Sequence, residues 1–270
     1  MWTKDDLHLT QFDADSTGLV QKVTPESANW GYTSFEVYEL GAGQSVSLVN
    51  DGRETCAVVI SGSATFGIDG KPFGDTTHRD HAFDRKPWAF YAPAGCNWNV
   101  TATTTLEVAI CGAVASQPNS PFMIAPGDRP IETRGSGNNV RHVVDLLPAD
   151  SDMAERLLVV EAITPPGCSS SYPPHKHDQD DLPTESQLEE IYFYHIRPEQ
   201  GFAFQRVYTD DRSLDVTMSP EDGDTILVPK GYHPVSAPHG YEVYYLNVMA
   251  GPKRAWNIHT AKEHAWLLES

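Results

Sequence analysis

Three histidines and one glutamate have the residue types and spacing of a metal site. His175 and His177 are two positions apart, Glu190 follows after an intervening stretch, and His233 ends a Pro-x-Gly-x-His turn. On a β-strand, residues i and i+2 point to the same side about 7 Å apart, so the first two imidazoles can face one point. Three nitrogens and one carboxylate oxygen suit a divalent transition metal that keeps room for a substrate.

The segments that would position these residues have the pattern of short β-strands. Runs of β-branched and aromatic residues alternate with Gly and Pro, of which the chain has 20 each, and such punctuation favours an all-β protein. The predicted strands lie at residues 33–40, 45–49, 55–60, 64–68, 88–91, 106–111, 140–146, 157–164, 191–196, 203–208, 225–228 and 241–248. A helical pattern is limited to residues 261–268.

The two halves of the chain share an order of motifs. Glu190 opens an aromatic strand ahead of the turn with His233, and Glu54 opens a hydrophobic strand ahead of the turn Pro93-Ala-Gly-Cys-Asn97. Asn97 therefore stands where His233 stands, and no His-x-His precedes Glu54. We interpret this as a duplicated β-barrel in which the second copy keeps the metal. The predicted parts are a metal-free N-terminal barrel, an inter-domain linker and a metal-binding C-terminal barrel, at residues 1–115, 116–139 and 140–270.

Charge and composition exclude several classes of function. The 270-residue chain has a net charge of −18, which argues against nucleic-acid binding because phosphate contacts need a basic face. Its start has no apolar signal segment and no run approaches about 18 apolar residues, so secretion and membrane insertion are not expected. The four cysteines show no CxxC spacing, which fits a reducing compartment. We expect a cytoplasmic protein with a small-molecule partner, and a homo-oligomer is left open.

The motifs resemble those of the cupin superfamily. Its second motif is similar to Gly223, Pro229, Gly231 and His233 of this chain, and the His-x-His pair is similar to part of its first. A denser similarity covers residues 173–256, where Pro-Pro-His-Lys-His and Tyr-Tyr-Leu-Asn-Val-Met-Ala-Gly resemble the 5-deoxy-glucuronate isomerase family. This resemblance implies a bicupin, with two tandem cupin barrels (double-stranded β-helices) and one metal in the C-terminal barrel.

The first motif departs from the usual cupin spacing. Twelve residues separate His177 from Glu190, where three or four are usual, so the intervening stretch is an inserted loop. Glu185 and Glu189 are therefore open as alternative carboxylate ligands, and Glu190 is favoured because it directly precedes the Ile-Tyr-Phe-Tyr strand. The acidic residues 178–181 of this loop form either a solvated loop or a lid over the site.

The resemblance implies an aldose–ketose isomerisation without net redox change. 5-Deoxy-D-glucuronate would become 5-dehydro-2-deoxy-D-gluconate, a step of myo-inositol catabolism. A bound metal would polarise the carbonyl oxygen and stabilise charge as a proton leaves the neighbouring carbon. Zinc would suffice, and the donor set leaves Mn, Fe, Co and Ni open. A general base is also required, and Tyr192, Tyr245, Glu185 and Glu189 all stay open for that role.

An anionic sugar acid also requires a cation in its site. A guanidinium can grip both oxygens of a carboxylate, and we predict Arg206 for this role because a similar Arg-Val-aromatic triplet occurs in the sister isomerase family of pectin breakdown. Lys230, beside the turn that carries His233, is the second candidate.

Two other classes of function fit the same scaffold. A metal-dependent oxygenase or oxidase would use a similar three-His, one-Glu site, and a non-catalytic sugar-acid-binding bicupin would keep the fold without needing a complete ligand set. The remaining histidine pair, His78 and His81, lies in a polar loop and is interpreted as solvated.

Overall fold

The computed structural model describes residues 2–268 and is built almost entirely from β-strands. Strands account for 48% of the residues and helices for 8%, which confirms the predicted all-β class. The two short α-helices are α1 (Lys4–Leu7) and α2 (Pro25–Ala28). Single 3-10 helices span Ala82–Asp84, Gly137–Asn139 and Lys262–Leu268, so the predicted C-terminal helix is of the 3-10 type.

Twenty-five short strands follow one another along the described chain. Those before residue 130 are β1 (His8–Leu9), β2 (Leu19–Val23), β3 (Thr33–Leu40), β4 (Ser45–Val49), β5 (Arg53–Ser61), β6 (Ala64–Ile68), β7 (Lys71–Asp75), β8 (Trp88–Ala92), β9 (Asn97–Ala102), β10 (Leu106–Val114) and β11 (Phe122–Ile124). The others are β12 (Glu132–Arg134), β13 (Arg141–Leu147), β14 (Leu158–Thr164), β15 (Ser169–Ser170), β16 (His175–Lys176), β17 (Asp178–Asp181), β18 (Glu185–Gln187), β19 (Glu189–Arg197), β20 (Phe204–Tyr208), β21 (Asp215–Met218), β22 (Thr225–Val228), β23 (Val235–Ser236), β24 (Glu242–Ala250) and β25 (His259–Thr260).

The chain folds into two compact units. We call residues 11–130 with 145–159 the N-terminal unit, and residues 2–10, 131–144 and 160–268 the C-terminal unit. These bounds differ from the division at residues 115 and 139 because strand pairing is not local. The first residues join the C-terminal unit through the pairing of β1 with β22, and β12, inside the predicted linker, pairs with β13.

The N-terminal unit contains a six-stranded and a four-stranded sheet. The strand orders are β11-β8-β5-β10-β3-β2 and β4-β9-β6-β7. Aromatic side chains fill the core of this unit: the ring of Phe90 lies 4.8 Å from that of Phe66 and 5.3 Å from that of Trp98. All three residues are buried, together with aliphatic residues from the same strands.

A buried carboxylate holds the loop at residues 155–157 against β5 within the N-terminal unit. Glu54, on β5, is fully buried and accepts a hydrogen bond from the Tyr91 hydroxyl at 2.5 Å. It also accepts the backbone N–H groups of residues 155, 156 and 157 at 2.8, 2.7 and 2.8 Å. Glu54 stands at the place in this unit that the motif order matched to Glu190, and its carboxylate here has a structural use.

Residues of the C-terminal unit form most of a seven-stranded sheet in the order β1-β22-β19-β24-β14-β13-β12. A four-stranded sheet, β15-β23-β20-β21, and the pairs β16-β25 and β17-β18 complete the unit. On β19, Tyr192 lies opposite Asn247 of β24, and Tyr194 lies opposite Tyr245. Because alternate residues of a strand share a face, Glu190, Tyr192 and Tyr194 point the same way as Tyr245 and Asn247. This face carries the candidate site.

Two further features concern the cysteines and the helices of the described chain. None of the four cysteines is in a disulfide. No helix within residues 2–268 combines the length and apolar character needed to cross a membrane.

Candidate metal centre and pocket

Three buried side chains of the C-terminal unit converge on one point. Ligand atoms of His177, Glu190 and His233 lie within 4.8 Å of one another, and all three residues are buried. His177 follows β16, Glu190 is the second residue of β19, and His233 comes from the turn after β22. Pairing of β19 with β22 places Glu190 opposite Val228 and so brings that turn beside the carboxylate.

Backbone carbonyls set the orientation of the imidazole rings. The Nδ1 atoms lie at hydrogen-bond distance from carbonyl oxygens: His175 from Pro173 at 3.0 Å, His177 from Leu188 at 3.3 Å and His233 from Gly231 at 2.8 Å. A carbonyl oxygen only accepts, so each Nδ1 carries the proton and donates it. The Nε2 lone pairs are then available as metal ligands, in the manner of histidines oriented for metal binding.

The facing atoms of this cluster suit a cation. The Nε2 atoms of His177 and His233 each lie 3.1 Å from the same oxygen of Glu190, Oε2. The Nε2 atom of His233 is buried and makes no hydrogen bond with any described residue. A buried polar atom without a partner costs about 1–3 kcal/mol. Lone pairs of two nitrogens and one carboxylate oxygen attract a divalent ion, so the residues fit a metal.

The charge states of His175 and His233 agree with a metal site. Burial, with the adjacent imidazoles adding to it, lowers the pKa of His175 to about 3, and burial together with His177 does the same for His233. Both rings are therefore neutral at neutral pH, the form that binds metals. Burial also opposes the charged form of His177, but the hydrogen bond and charge of Glu190 outweigh it and raise the pKa of His177.

The structure brings Glu190, among the three glutamates considered, to the histidines. Glu185 instead accepts hydrogen bonds from Lys176 Nζ at 2.9 and 3.0 Å and from the backbone N–H of Asp178 at 2.7 Å. Glu189 precedes Glu190 on β19, so strand alternation directs it to the opposite face. His175 lies beside the cluster, with its ring 5.1 Å from that of His233.

A cavity of about 240 Å³ opens onto this cluster. Its polar lining comes from six residues: Arg134, Arg141, Ser171, His175, Glu190 and Asn247. Tyr192, Tyr245 and Trp256 contribute aromatic surface. A pocket that combines apolar walls with a few convergent polar groups is the usual form of a small-molecule site.

Tyr192 and Tyr245, both predicted at the site, line this cavity. The Tyr192 hydroxyl lies 2.8 Å from the Ser171 hydroxyl. Burial, with the nearby charge of Glu190 adding to it, raises the pKa of Tyr192 well above 10, and burial also raises the pKa of Tyr245. Both hydroxyls therefore keep their protons at neutral pH, which makes them hydrogen-bond and proton donors.

Neither cation predicted from the sequence lines the cavity. Arg206 makes a bidentate pair with Asp215, with Nε–Oδ1 at 2.8 Å and Nη2–Oδ2 at 2.7 Å. Strand alternation explains this correction, because on β20 the neighbours Gln205 and Val207 are buried and Arg206 is exposed. Lys230 is exposed in the turn after β22. The cations at the cavity are Arg134 and Arg141, and neither was singled out from the sequence.

The predicted loop at residues 178–181 is a short hairpin. Asp178–Asp181 pairs with β18, and the backbone N–H of Gly231 donates to Asp178 at 2.8 Å. Lys176, between two of the histidines, is buried and donates to Asp178 at 2.7 Å as well as to Glu185. The hairpin thus links the segments that carry His177 and His233. His78 and His81 are exposed, as interpreted from the sequence.

Replacement of Lys176 by methionine is expected to destabilise this hairpin. Loss of its charged hydrogen bonds leaves two carboxylates without their cation and should lower the free energy of unfolding by about 2 kcal/mol. The midpoint of urea denaturation measures this change. The matched control is Lys253→Met, because Lys253 pairs with the exposed Asp180 of the same hairpin at 3.0 Å, and we expect a change below about 0.5 kcal/mol there. Equal midpoints for the two variants would contradict the assigned role of Lys176.

Comparison with known proteins places the chain in a family. The model of the KduI/IolB family matches residues 8–267. The 5-deoxy-glucuronate isomerase of Geobacillus kaustophilus is 49% identical over 94% of this chain and 92% of its own length. That of Geobacillus thermodenitrificans is 46% identical over 97% of this chain and 96% of its own.

Solved structures agree with this comparison. An IolB-like protein from Salmonella typhimurium superposes with a TM-score of 0.93 at 41% identity, covering 97% of this chain and 99% of its own. Oxalate decarboxylase of Bacillus subtilis superposes with a TM-score of 0.69 over 99% of this chain and 82% of its own, but at 15% identity it shows the fold alone. The two-barrel cupin architecture expected from the motifs is thereby confirmed. The chain belongs to the KduI/IolB family.

Proposed function

We propose that this chain is a metal-dependent isomerase that converts 5-deoxy-D-glucuronate to 5-dehydro-2-deoxy-D-gluconate in myo-inositol catabolism. The supporting observation is the convergence of two imidazole Nε2 atoms on one oxygen of Glu190 at the wall of a cavity sized for a small molecule. The names of the relatives and the extent of their similarity support the choice of substrate.

The residues that would hold the metal are His175, His177, Glu190 and His233. Zinc is our first choice because imidazole nitrogens and carboxylate oxygens are among its usual ligands, and the same donors accept Mn, Fe, Co or Ni. When bound, a divalent ion supplies Lewis-acid polarisation of the sugar's carbonyl and hydroxyl oxygens. Hydrogen bonds from Nδ1 to backbone carbonyl oxygens hold the three rings in position before a metal binds.

The reaction moves two protons. A base at the cavity takes one from the carbon that carries the secondary alcohol and returns it to the aldehyde carbon, and the proton on that alcohol's oxygen passes to the aldehyde oxygen. As the carbon proton leaves, negative charge develops on the carbonyl oxygen, and a protonated hydroxyl nearby can donate to that oxygen. Tyr192 and Tyr245 keep their protons at neutral pH and face the cavity, so we assign them this donation. Ser171, within hydrogen-bond distance of Tyr192, connects their hydroxyls.

Product analysis by NMR tests the proposed reaction. Purified metal-replete protein should consume the aldehyde of 5-deoxy-D-glucuronate and produce the 5-keto acid without consuming oxygen. Oxygen uptake in proportion to product would favour the oxidase alternative, and tight binding without turnover would favour the binding protein. Faster conversion of 5-dehydro-4-deoxy-glucuronate, the substrate of the sister isomerase, would assign the chain that isomerase's reaction instead. Light scattering on the same preparation measures whether the chain forms a homo-oligomer.

A further inference from the structure

Arg141 is a cation at the cavity that no carboxylate neutralises. It is the first residue of β13, is half-buried, and lines the cavity together with Val143 of the same strand face. Its Nη1 donates to the backbone carbonyl and to the side-chain oxygen of Asn139, at 3.1 and 3.3 Å. Within residues 2–268 it forms no ion pair, so its hydrogen-bond partners are neutral.

Two other arginines of the C-terminal unit are each paired with a carboxylate. Arg134, at the same cavity, pairs with Glu132 at 2.7 Å, and Arg206 pairs with Asp215. Withdrawing a guanidinium from water without an anion is unfavourable, and burial accordingly lowers the pKa of Arg141. The group nevertheless stays charged at neutral pH. An anionic ligand in the cavity would offset the free energy lost when the guanidinium is withdrawn from water.

Sheet order separates Arg141 from the metal ligands by a distance that suits a linear sugar acid. Glu190 is on β19, and β24 and β14 lie between that strand and β13. Three steps of about 4.8 Å give roughly 14 Å along the curved sheet, and the long arginine side chain shortens the remaining gap. Val160 and Ala162 of β14 line the stretch between. The cavity therefore has a metal-binding end, an apolar middle and a cationic end.

We propose that Arg141 binds the carboxylate of the substrate and so places the opposite, aldehyde end of the sugar acid at the His-Glu cluster. This inference rests on the proposed function, because it assumes a substrate with a carboxylate at one end and the reacting carbons at the other. Arg141 takes the role that the sequence suggested for Arg206.

Kinetics with charged and uncharged substrates test the role of Arg141. Arg141→Met removes the charge at nearly constant length and should raise KM for 5-deoxy-glucuronate about 30-fold, the loss of a charge-assisted bidentate contact. Affinity for 5-deoxy-glucose, which has a hydroxymethyl group in place of the carboxylate, should stay within about 3-fold. Arg206→Met is the matched control. It should leave KM for 5-deoxy-glucuronate and the affinity for 5-deoxy-glucose unchanged. An unchanged KM in Arg141→Met, or an equal loss for both sugars, would overturn the proposal.

One further measurement and one further variant separate the role of Arg141 from the proposed function and from misfolding. Calorimetric titration of 5-deoxy-glucuronate into metal-loaded protein detects binding even if the protein does not convert the sugar acid. Absence of turnover in the unaltered protein would refute the proposed function, while weaker binding by Arg141→Met would still support the carboxylate contact. If Arg141→Met fails to fold, Arg141→Lys replaces it, since lysine keeps the charge and loses the bidentate geometry. An increase in KM of about 10-fold would support the proposal there, and no increase would refute it.

Discussion

Replacing His233 by alanine is expected to remove the bound metal and to lower kcat for 5-deoxy-glucuronate by about 1,000-fold or more, because the Lewis acid is lost with it. The Nε2 atom of His233 is buried and lies 3.1 Å from Oε2 of Glu190. Metal content by mass spectrometry and rates by NMR measure the two effects together.

The matched control for this variant is His239→Ala. His239 is exposed and lies outside the metal cluster, so the variant should keep one metal per chain and its full rate. A His233→Ala protein that retained stoichiometric metal and an unchanged kcat would contradict the assigned ligand set.

Replacing Glu54 by alanine is expected to lower the free energy of unfolding of the N-terminal unit by about 4 kcal/mol, because three backbone N–H groups and a hydroxyl lose their buried acceptor. All four donors lie within 2.5–2.8 Å of the carboxylate. Glu54→Gln keeps one carbonyl oxygen and should lose about half as much. Guanidinium denaturation followed by tryptophan fluorescence measures the shift of the midpoint.

Asp51→Ala is the control for the Glu54 variants, because Asp51 is exposed in the same unit. Its substitution should change the free energy of unfolding by less than about 0.5 kcal/mol. A midpoint for Glu54→Ala within that range would show that the buried carboxylate does not hold the loop at residues 155–157.

The metal cluster could be predicted because its signals are local. The His-x-His pair, the glutamate before an aromatic strand and the Pro-x-Gly-x-His turn are short patterns whose residue types limit the chemistry. Strand alternation then predicts that Tyr192 shares a face with Glu190, and the register of β19 on β24 agrees. The two copies of a duplicated motif can nevertheless have different roles. Glu190 faces two imidazoles, whereas Glu54 accepts backbone N–H groups.

The cations could not be predicted because their positions depend on long-range pairing. The sequence does not state which face of β20 is exposed, and on that face Arg206 meets Asp215. Arg141 reaches the cavity only because β13 and β14 follow β24 in the sheet. The bounds of the two units have the same origin, since residues 8 and 9 join the C-terminal unit by pairing with β22.

Titration of metal into chelator-treated protein tests the central claim most directly. Formation of the 5-keto acid from 5-deoxy-glucuronate is followed by NMR as zinc is added to the metal-free chain. We predict no turnover without metal and a linear rise in rate that ends at one equivalent per chain, with no rise in the His233→Ala variant. Full turnover by the metal-free chain would contradict a metal-dependent isomerase at the His-Glu cluster.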